Sequence, residues 1–140
     1  MANEAVLIFE TERPIPFTVE NTLGIEKGAV LKLIDPMTVS GSAIAGGLIN
    51  QQVAGIASAE KIASDGITKI GVYRKGIFKM ALSGAALIGA PLKLADVNFV
   101  IAADNIANAS GARIIGTALE TGTNNETILV DLNIGAGGSP

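Results

Sequence analysis

Carboxylates are the side chains of this 140-residue chain best suited to acid–base chemistry, because the sequence contains no histidine and no cysteine. Glu10 and Glu12 share one face of an extended segment, and Asp35 and Asp96 occupy equivalent places in two similar stretches. Paired carboxylates can hydrolyse glycosidic bonds where a cleft raises the pKa of one of them. However, Asp35 and Asp96 stand where strands are expected to end, and aspartate is common in turns. We therefore expect no catalytic residues and no enzyme activity.

Metal and cofactor sites are not expected either. The best group of oxygen ligands is Asp96, Asn98 and Asp104, but their spacing does not match a calcium-binding loop. Solvated turns are the simpler interpretation of these residues. The glycines form neither a dinucleotide-binding fingerprint nor a phosphate-binding loop after a strand.

Composition excludes several classes of partner. A net charge of −3 and an aromatic content of 4% argue against nucleic-acid binding. The longest apolar runs are interrupted by glycine and are too short to cross a bilayer, so no membrane partner is expected. The mean hydropathy of +0.47 is high for a monomer and indicates apolar surface buried between subunits.

The clearest structural signal is strict alternation over residues 68–82, which read TKIGVYRKGIFKMAL. Alternation with a period of two predicts a β-strand. Because the same face stays apolar across Gly76, we expect one long strand bent at this glycine. A hairpin with its turn at residues 74–76 is the alternative.

An internal repeat organises the rest of the chain. The segment GAVLKLID at residues 28–35 matches GAPLKLAD, which begins 61 residues later. At the same offset AGIA at 54–57 matches IGTA at 115–118, and after one residue of slip Ile70 and Val72 match Val130 and Leu132. The repeat predicts an all-β fold with little helix, a small barrel or sandwich in which each half supplies part of the sheet.

The expected organisation is an extended N-terminal arm (1–20), one β domain (21–134) and a flexible tail (135–140). The β domain comprises two related halves, at about 24–84 and 85–134, and residues 37–52 are expected to be mostly loop. Pro14 and Pro16 exclude a helix in the arm and weaken strand pairing there. The arm is either an edge strand of its own sheet or a strand donated to a neighbour.

Residues 5–133 resemble the small capsid decoration (cement) proteins of tailed phages and related archaeal viruses. The resemblance rests on a succession of short motifs that follow the extended arm: GIEKGAVLKLID, VAGIASAEKIASDGITKIGVYRKGIFKM, GAPLKL and GTALETGTNNETILVDL. It implies a compact β-rich protein that forms homotrimers on the outer surface of an icosahedral head, where it bridges major capsid proteins.

In such proteins the N-terminal arm commonly contacts the capsid. The resemblance therefore implies a contact surface made of the arm's apolar residues, namely Val6, Leu7, Ile8, Phe9, Pro14, Ile15, Pro16 and Phe17. The alternative function is a self-assembling extracellular filament or surface-layer subunit, in which the arm completes the sheet of the next subunit.

Overall fold

The computed structural model describes residues 4–42, 53–96, 98–102 and 114–134, and these form eleven β-strands and no helix. None of these residues belongs to a helix able to cross a membrane. The strands are β1 Val6–Phe9, β2 Ile15–Val19, β3 Val30–Ile34, β4 Thr38–Ser42, β5 Val53–Ala57, β6 Lys69–Tyr73, β7 Lys75–Leu82, β8 Pro91–Asp96, β9 Phe99–Ala102, β10 Ile114–Ala118 and β11 Thr127–Asn133. The expectation of an all-β, barrel-like fold is confirmed.

The strands form two small closed barrels of five strands each. The first barrel has the order β2-β4-β3-β5-β6, and the second has the order β7-β9-β8-β10-β11, with β1 added as a sixth strand beside β7. In each barrel one pair is parallel, β2 with β4 and β7 with β9, and the remaining pairs are antiparallel. Each half of the repeat therefore closes its own barrel.

Hydrogen bonds confirm that the two LKL strands, β3 and β8, are equivalent. The N–H of Gly28 donates to the carbonyl of Ala57 at 2.9 Å, and the N–H of Gly89 donates to that of Ala118 at 2.7 Å. Both glycines turn the chain with positive φ, 84° and 86°. Equivalent residues in these segments differ by 61 in number, as the repeat predicted.

The last strand of each half is related by a different offset. Ala57 faces Val72 across β5 and β6, and Ala118 faces Val130 across β10 and β11. Val72 is therefore equivalent to Val130, and Ile70 to Ile128. The sequence match of Ile70 and Val72 with Val130 and Leu132 is wrong by two residues, because the turn before β11 is shorter than the turn before β6.

Residues 68–82 do not form one strand. Arg74 separates β6, which belongs to the first barrel, from β7, which belongs to the second. No hairpin forms there either, because β6 and β7 do not pair with each other. The strand therefore breaks two residues before Gly76, where a bend was expected. The boundary between the two barrels lies at Arg74, whereas the sequence placed the boundary between the two halves at 84/85.

Two strands lie where sequence predicted an arm and a loop. β2 pairs with β6 and β4 inside the first barrel, so residues 15–19 are barrel rather than arm. β4 occupies Thr38–Ser42, in the segment expected to be mostly loop. The remainder of that loop, residues 43–52, and the tail at 135–140 lie outside the described residues.

The core of the second barrel extends into the outer surface of the first. Val30, Val53 and Ile56 belong to the first barrel, yet they are buried among second-barrel residues such as Phe78 and Leu92. The first barrel encloses a separate core that includes Phe17, Leu31, Val39, Ala54, Ile70 and Val72. The first barrel thus covers one end of the second, and we call this contact the barrel joint.

A buried hydrogen bond marks the barrel joint. The N–H of Val30 donates to Oδ1 of Asn98 at 2.9 Å, and both residues are fully buried. Asn98 lies in the turn between β8 and β9 with a φ of 59°, a conformation that asparagine adopts more readily than most residues.

Two equivalent glycines allow close strand pairing. A Cβ at Gly55 would collide with the carbonyl oxygen of Tyr73, and a Cβ at Gly116 would collide with that of Asp131.

We expect Gly116→Ala to lower the free energy of unfolding by about 3 kcal/mol or more, because the added Cβ would meet backbone atoms, which cannot move aside as a flexible side chain can. The control Gly89→Ala meets no atom within 4 Å and should cost about 1 kcal/mol, from its positive φ alone. Denaturant melts of both variants provide the comparison, and equal losses would contradict the close approach.

Removing the side chain of Asn98 should loosen the barrel joint. Asn98→Ala leaves the buried N–H of Val30 without an acceptor and adds strain at positive φ, so we expect a loss of about 3 kcal/mol in unfolding free energy. Asn98→Asp retains an acceptor oxygen but places a carboxylate in a fully buried site, so we expect its loss to be larger at neutral pH than at acidic pH, where the carboxyl group is protonated. Amide exchange should show the Val30 N–H losing protection in the alanine variant, and unchanged protection there would contradict this assignment.

Candidate interaction surfaces

The first strand is an apolar segment that lies on the outside of the second barrel. β1 pairs antiparallel with β7, with Val6 opposite Lys79 and Leu7 opposite Phe78. Ala5 is buried and Leu7 is half-buried against the second core, so one face of β1 is packed. The other face is open, because Val6, Ile8 and Phe9 are all exposed, Phe9 by 63%. β1 is therefore a docked strand that presents apolar side chains to solvent.

The corresponding place in the first barrel is closed to strand pairing by proline. Thr18 donates its N–H to Met37 on the side of β4, and Val19 donates to Thr68 on the side of β6. Because backbone groups alternate along a strand, Pro14 and Pro16 face the same edge as Thr18. Proline has no N–H, so this edge offers no donors over these two positions. The prolines thus protect the edge that is equivalent to the one covered by β1.

The structure divides the eight predicted contact residues into two groups. Val6, Leu7, Ile8 and Phe9 form β1, and Pro14 precedes β2, which contains Ile15, Pro16 and Phe17. Phe17 is buried in the first core and Ile15 packs against it, so these two side chains stabilise the barrel. Pro16 is exposed and Pro14 is half-buried. Only β1 presents the contiguous apolar surface that was expected of the whole arm.

A cavity of about 450 Å³ opens at the end of the first barrel. Its lining residues come from β2, β3, the β3–β4 turn and the link between the barrels: Phe17, Lys32, Leu33, Ile34, Asp35, Met37 and Arg74. Arg74 places its guanidinium carbon 6.0 Å from the centre of the Phe17 ring, and its buried Nε has no hydrogen-bond partner among the described residues. Met37 is 55% exposed at the rim. Apolar walls beside the N–H of Arg74 Nε suit a ligand that carries an apolar group next to a hydrogen-bond acceptor.

The turn before β8 is the most exposed apolar feature among the described residues. Leu87 is 71% exposed and Ile88 is 67% exposed, and the N–H of Ile88 donates to Oγ1 of Thr121 at 3.0 Å, which fixes the turn. At the equivalent place in the first barrel the chain has Glu26 and Lys27. We call Leu87 and Ile88 the apolar tip.

Sequence reasoning missed both the cavity and the apolar tip. The signal for the tip was present in the repeat, because aligning GIEKGA with AALIGA places two apolar residues opposite a charged pair. The cavity could not be recognised from sequence, since Arg74 was expected inside a continuous strand.

A buried lysine, Lys61, holds two turns of the first barrel together. Lys61 is almost fully buried and donates from Nζ to the carbonyls of Asn21 and Leu23, each at 2.7 Å, and Nζ lies 3.3 Å from Asp65. The N–H of Ile67 lowers the pKa of Asp65, and Lys61 lowers it further. This cluster ties the turn between β5 and β6 to the turn after β2, and it has the arrangement of a structural ion pair.

The carboxylates considered for catalysis do not converge. Asp35 directly follows β3 and Asp96 is the last residue of β8, so the two belong to different barrels, and within the described residues no three carboxylates gather as metal ligands would. Asp104, the third residue of the calcium candidate, falls outside the described residues. Burial raises the pKa of Tyr73, with a smaller contribution from the charge of Glu10, which places Glu10 near Tyr73.

The two faces of β1 should respond differently to substitution. Leu7→Ala removes apolar contact with the second core and should lower the unfolding free energy by about 1–2 kcal/mol. Phe9→Ala changes an exposed side chain and should stay within about 0.5 kcal/mol of the unsubstituted protein. Denaturant unfolding tests both. A larger loss from Phe9→Ala than from Leu7→Ala would show that β1 is docked with its other face inward.

Comparison with known proteins shows a likeness in structure but not in sequence. No family model matches the chain, and no curated protein matches it. Among solved structures, the chain is similar to the crystal structure of the head fiber gp8.5 N base of bacteriophage phi29, with a TM-score of 0.52 and 13% sequence identity. The match covers 85% of this chain and 93% of that chain. At this level of identity the likeness shows a shared fold, so the chain has the fold of a phage head fiber base.

Proposed function

We propose that this chain is a structural protein of a virion, a decoration or cement protein on the outer surface of the head of a tailed phage or related archaeal virus. The observation that carries the proposal is the shared fold with a head fiber base over nearly the full length of both chains. The succession of short motifs that resembles capsid decoration proteins supports the same proposal. The proposal assigns the protein no catalytic activity and no cofactor.

The proposed partner is the major capsid protein, and the outward face of β1 is the proposed contact. Val6, Ile8 and Phe9 offer adjacent apolar side chains on a strand held in place by β7. A pre-ordered strand loses little conformational entropy on binding, which favours affinity. Contacts of this kind across two capsid subunits would hold them together against internal pressure. We further propose that the protein acts as a homotrimer, as the resemblance implies.

The filament alternative requires β1 to leave its own chain. Here β1 pairs with β7 within one chain, and the prolines of β2 remove donors from the equivalent edge. Both features favour the cement proposal over strand donation.

Binding to heads that lack the protein tests this proposal. The variant Val6→Thr/Ile8→Thr/Phe9→Thr has β-branched threonine at all three positions, which favours the strand, but it removes apolar contact area, and we expect its affinity for heads to fall at least about tenfold. The matched control Ile62→Thr/Ile67→Thr changes two exposed apolar residues in a turn of the first barrel and should bind normally. Co-sedimentation with purified heads measures both, and circular dichroism verifies the fold.

Two results would overturn parts of the proposal. If the unsubstituted protein fails to bind heads and is absent from purified virions, the decoration function is wrong. If the protein binds and the triple variant binds equally well, β1 is not the contact.

A further inference from the structure

The cavity at the end of the first barrel contains two cationic side chains that lack a counter-ion. Lys32 and Arg74 both line it, and within the described ranges neither of them forms an ion pair. Asp35 lies in the same lining, so two cations stand against one carboxylate and the charge of the lining is positive. Because partly buried cations are stabilised by pairing, the cavity favours the binding of an anion.

Arg74 is held at the cavity by the ring of Phe17. Its guanidinium carbon lies 6.0 Å from the ring centre, and the ring is fixed in the first core, where Phe17 is 3% exposed. An aromatic face attracts a cation, but it supplies no acceptor oxygen to the N–H groups of the guanidinium. The buried Nε accordingly has no hydrogen-bond partner in the part of the chain that the structure describes.

The internal repeat shows that a barrel does not need a cation at this position. Ala57 faces Val72 and Ala118 faces Val130, so the residue equivalent to Arg74, two places further on, is Leu132. Leu132 is apolar and only 1% exposed. The arginine is therefore specific to the barrel that has the cavity, and its role there calls for an explanation other than strand formation.

The remaining walls suit an apolar group. Leu33, Ile34 and Met37 line the cavity, and Ile34 and Met37 are 37% and 55% exposed at its opening. The volume of about 450 Å³ falls within the range of small-molecule sites, roughly 300–1,000 Å³. Apolar walls beside two cations match a ligand that has an apolar chain and one negative end.

We propose that this cavity is a binding site for a small amphipathic carboxylate. Lys32 and Arg74 bind the carboxylate group, and the apolar chain of the ligand packs against Leu33, Ile34 and Met37. Arginine suits this partner because its planar guanidinium donates parallel hydrogen bonds to the two oxygens of a carboxylate. The site is formed by one chain, so it does not depend on self-association or on binding to a capsid.

Titration of the free protein with hexanoate tests the proposal. We expect one saturable site, measured by calorimetry, and shifts of backbone amide signals in β3 and at Met37 but not in the equivalent strand β8. Hexanamide has the same chain without the charge and should bind at least about tenfold more weakly. Acetate has the charge without the chain and should also bind at least about tenfold more weakly.

Three variants test the named residues, and the repeat supplies a matched control. Lys32→Met and Arg74→Met keep an unbranched side chain without the charge, and each should weaken hexanoate binding at least about tenfold. Met37→Glu places a carboxylate at an exposed position of the rim and should weaken binding by repulsion. The control Lys93→Met changes the equivalent, equally half-buried lysine of β8 and should bind hexanoate like the unsubstituted protein. Circular dichroism verifies the fold of each variant.

Several results would overturn the site. Absence of saturation below about 10 mM hexanoate would mean that no formed site exists for this ligand class. Equal affinity for hexanamide would show that the cations do not recognise the ligand. Equal effects of Lys32→Met and Lys93→Met, or signal shifts in β8 instead of β3, would place the binding elsewhere. None of these outcomes bears on whether the protein binds heads.

Discussion

The barrel joint is the contact on which the rest of the structure depends. A five-stranded barrel of this size encloses few side chains, and the second barrel supplements its core with Val30, Val53 and Ile56 from its neighbour. Their burial contributes to the stability of both barrels at once, since the same residues lie on strands that enclose the first core. Because β5 is buried on both faces, it resembles a central strand of a two-layer protein more than the wall of an isolated barrel.

Each barrel has to protect the same stretch of strand edge, and the two barrels do so differently. In the first barrel β4 pairs with β2 only at Thr18–Val19, and in the second barrel β9 pairs with β7 only at Ala81–Leu82. In the second barrel β1 covers the remaining edge of β7, and in the first barrel Pro14 and Pro16 remove the exposed donors of β2. Exposed donors invite pairing with other chains, so both solutions limit uncontrolled strand addition. The first twenty residues therefore hold two elements with separate purposes rather than one arm.

The repeat could be predicted from sequence where local constraints fix the residues. The glycines at 28 and 89 have positive φ, and Gly55 and Gly116 have no room for a Cβ, so both halves retain them and the alignment is clear. The break at Arg74 was hidden because β6 and β7 use the same alternation, and period alone does not reveal that a strand changes barrels. β4, TVSGS, contains a single large apolar residue, so its pattern resembled a loop. The register of β11 was missed because turn length decides it, and equivalent turns differ in length.

An internal repeat also offers a way to separate folding from function within a single chain. Where both copies carry the same residue at equivalent positions, the fold explains it, as it does for the leucines of the LKL strands. Where the copies differ and the fold accepts both versions, the difference needs another cause. Glu26 and Lys27 show that the turn before an LKL strand folds with charged residues, so folding alone does not require Leu87 and Ile88 to be apolar. Exposing two large apolar side chains carries a cost in solubility, and such patches commonly mark interaction sites. The same reasoning applies to Met37, which is exposed where its equivalent in the second barrel, Asn98, is fully buried.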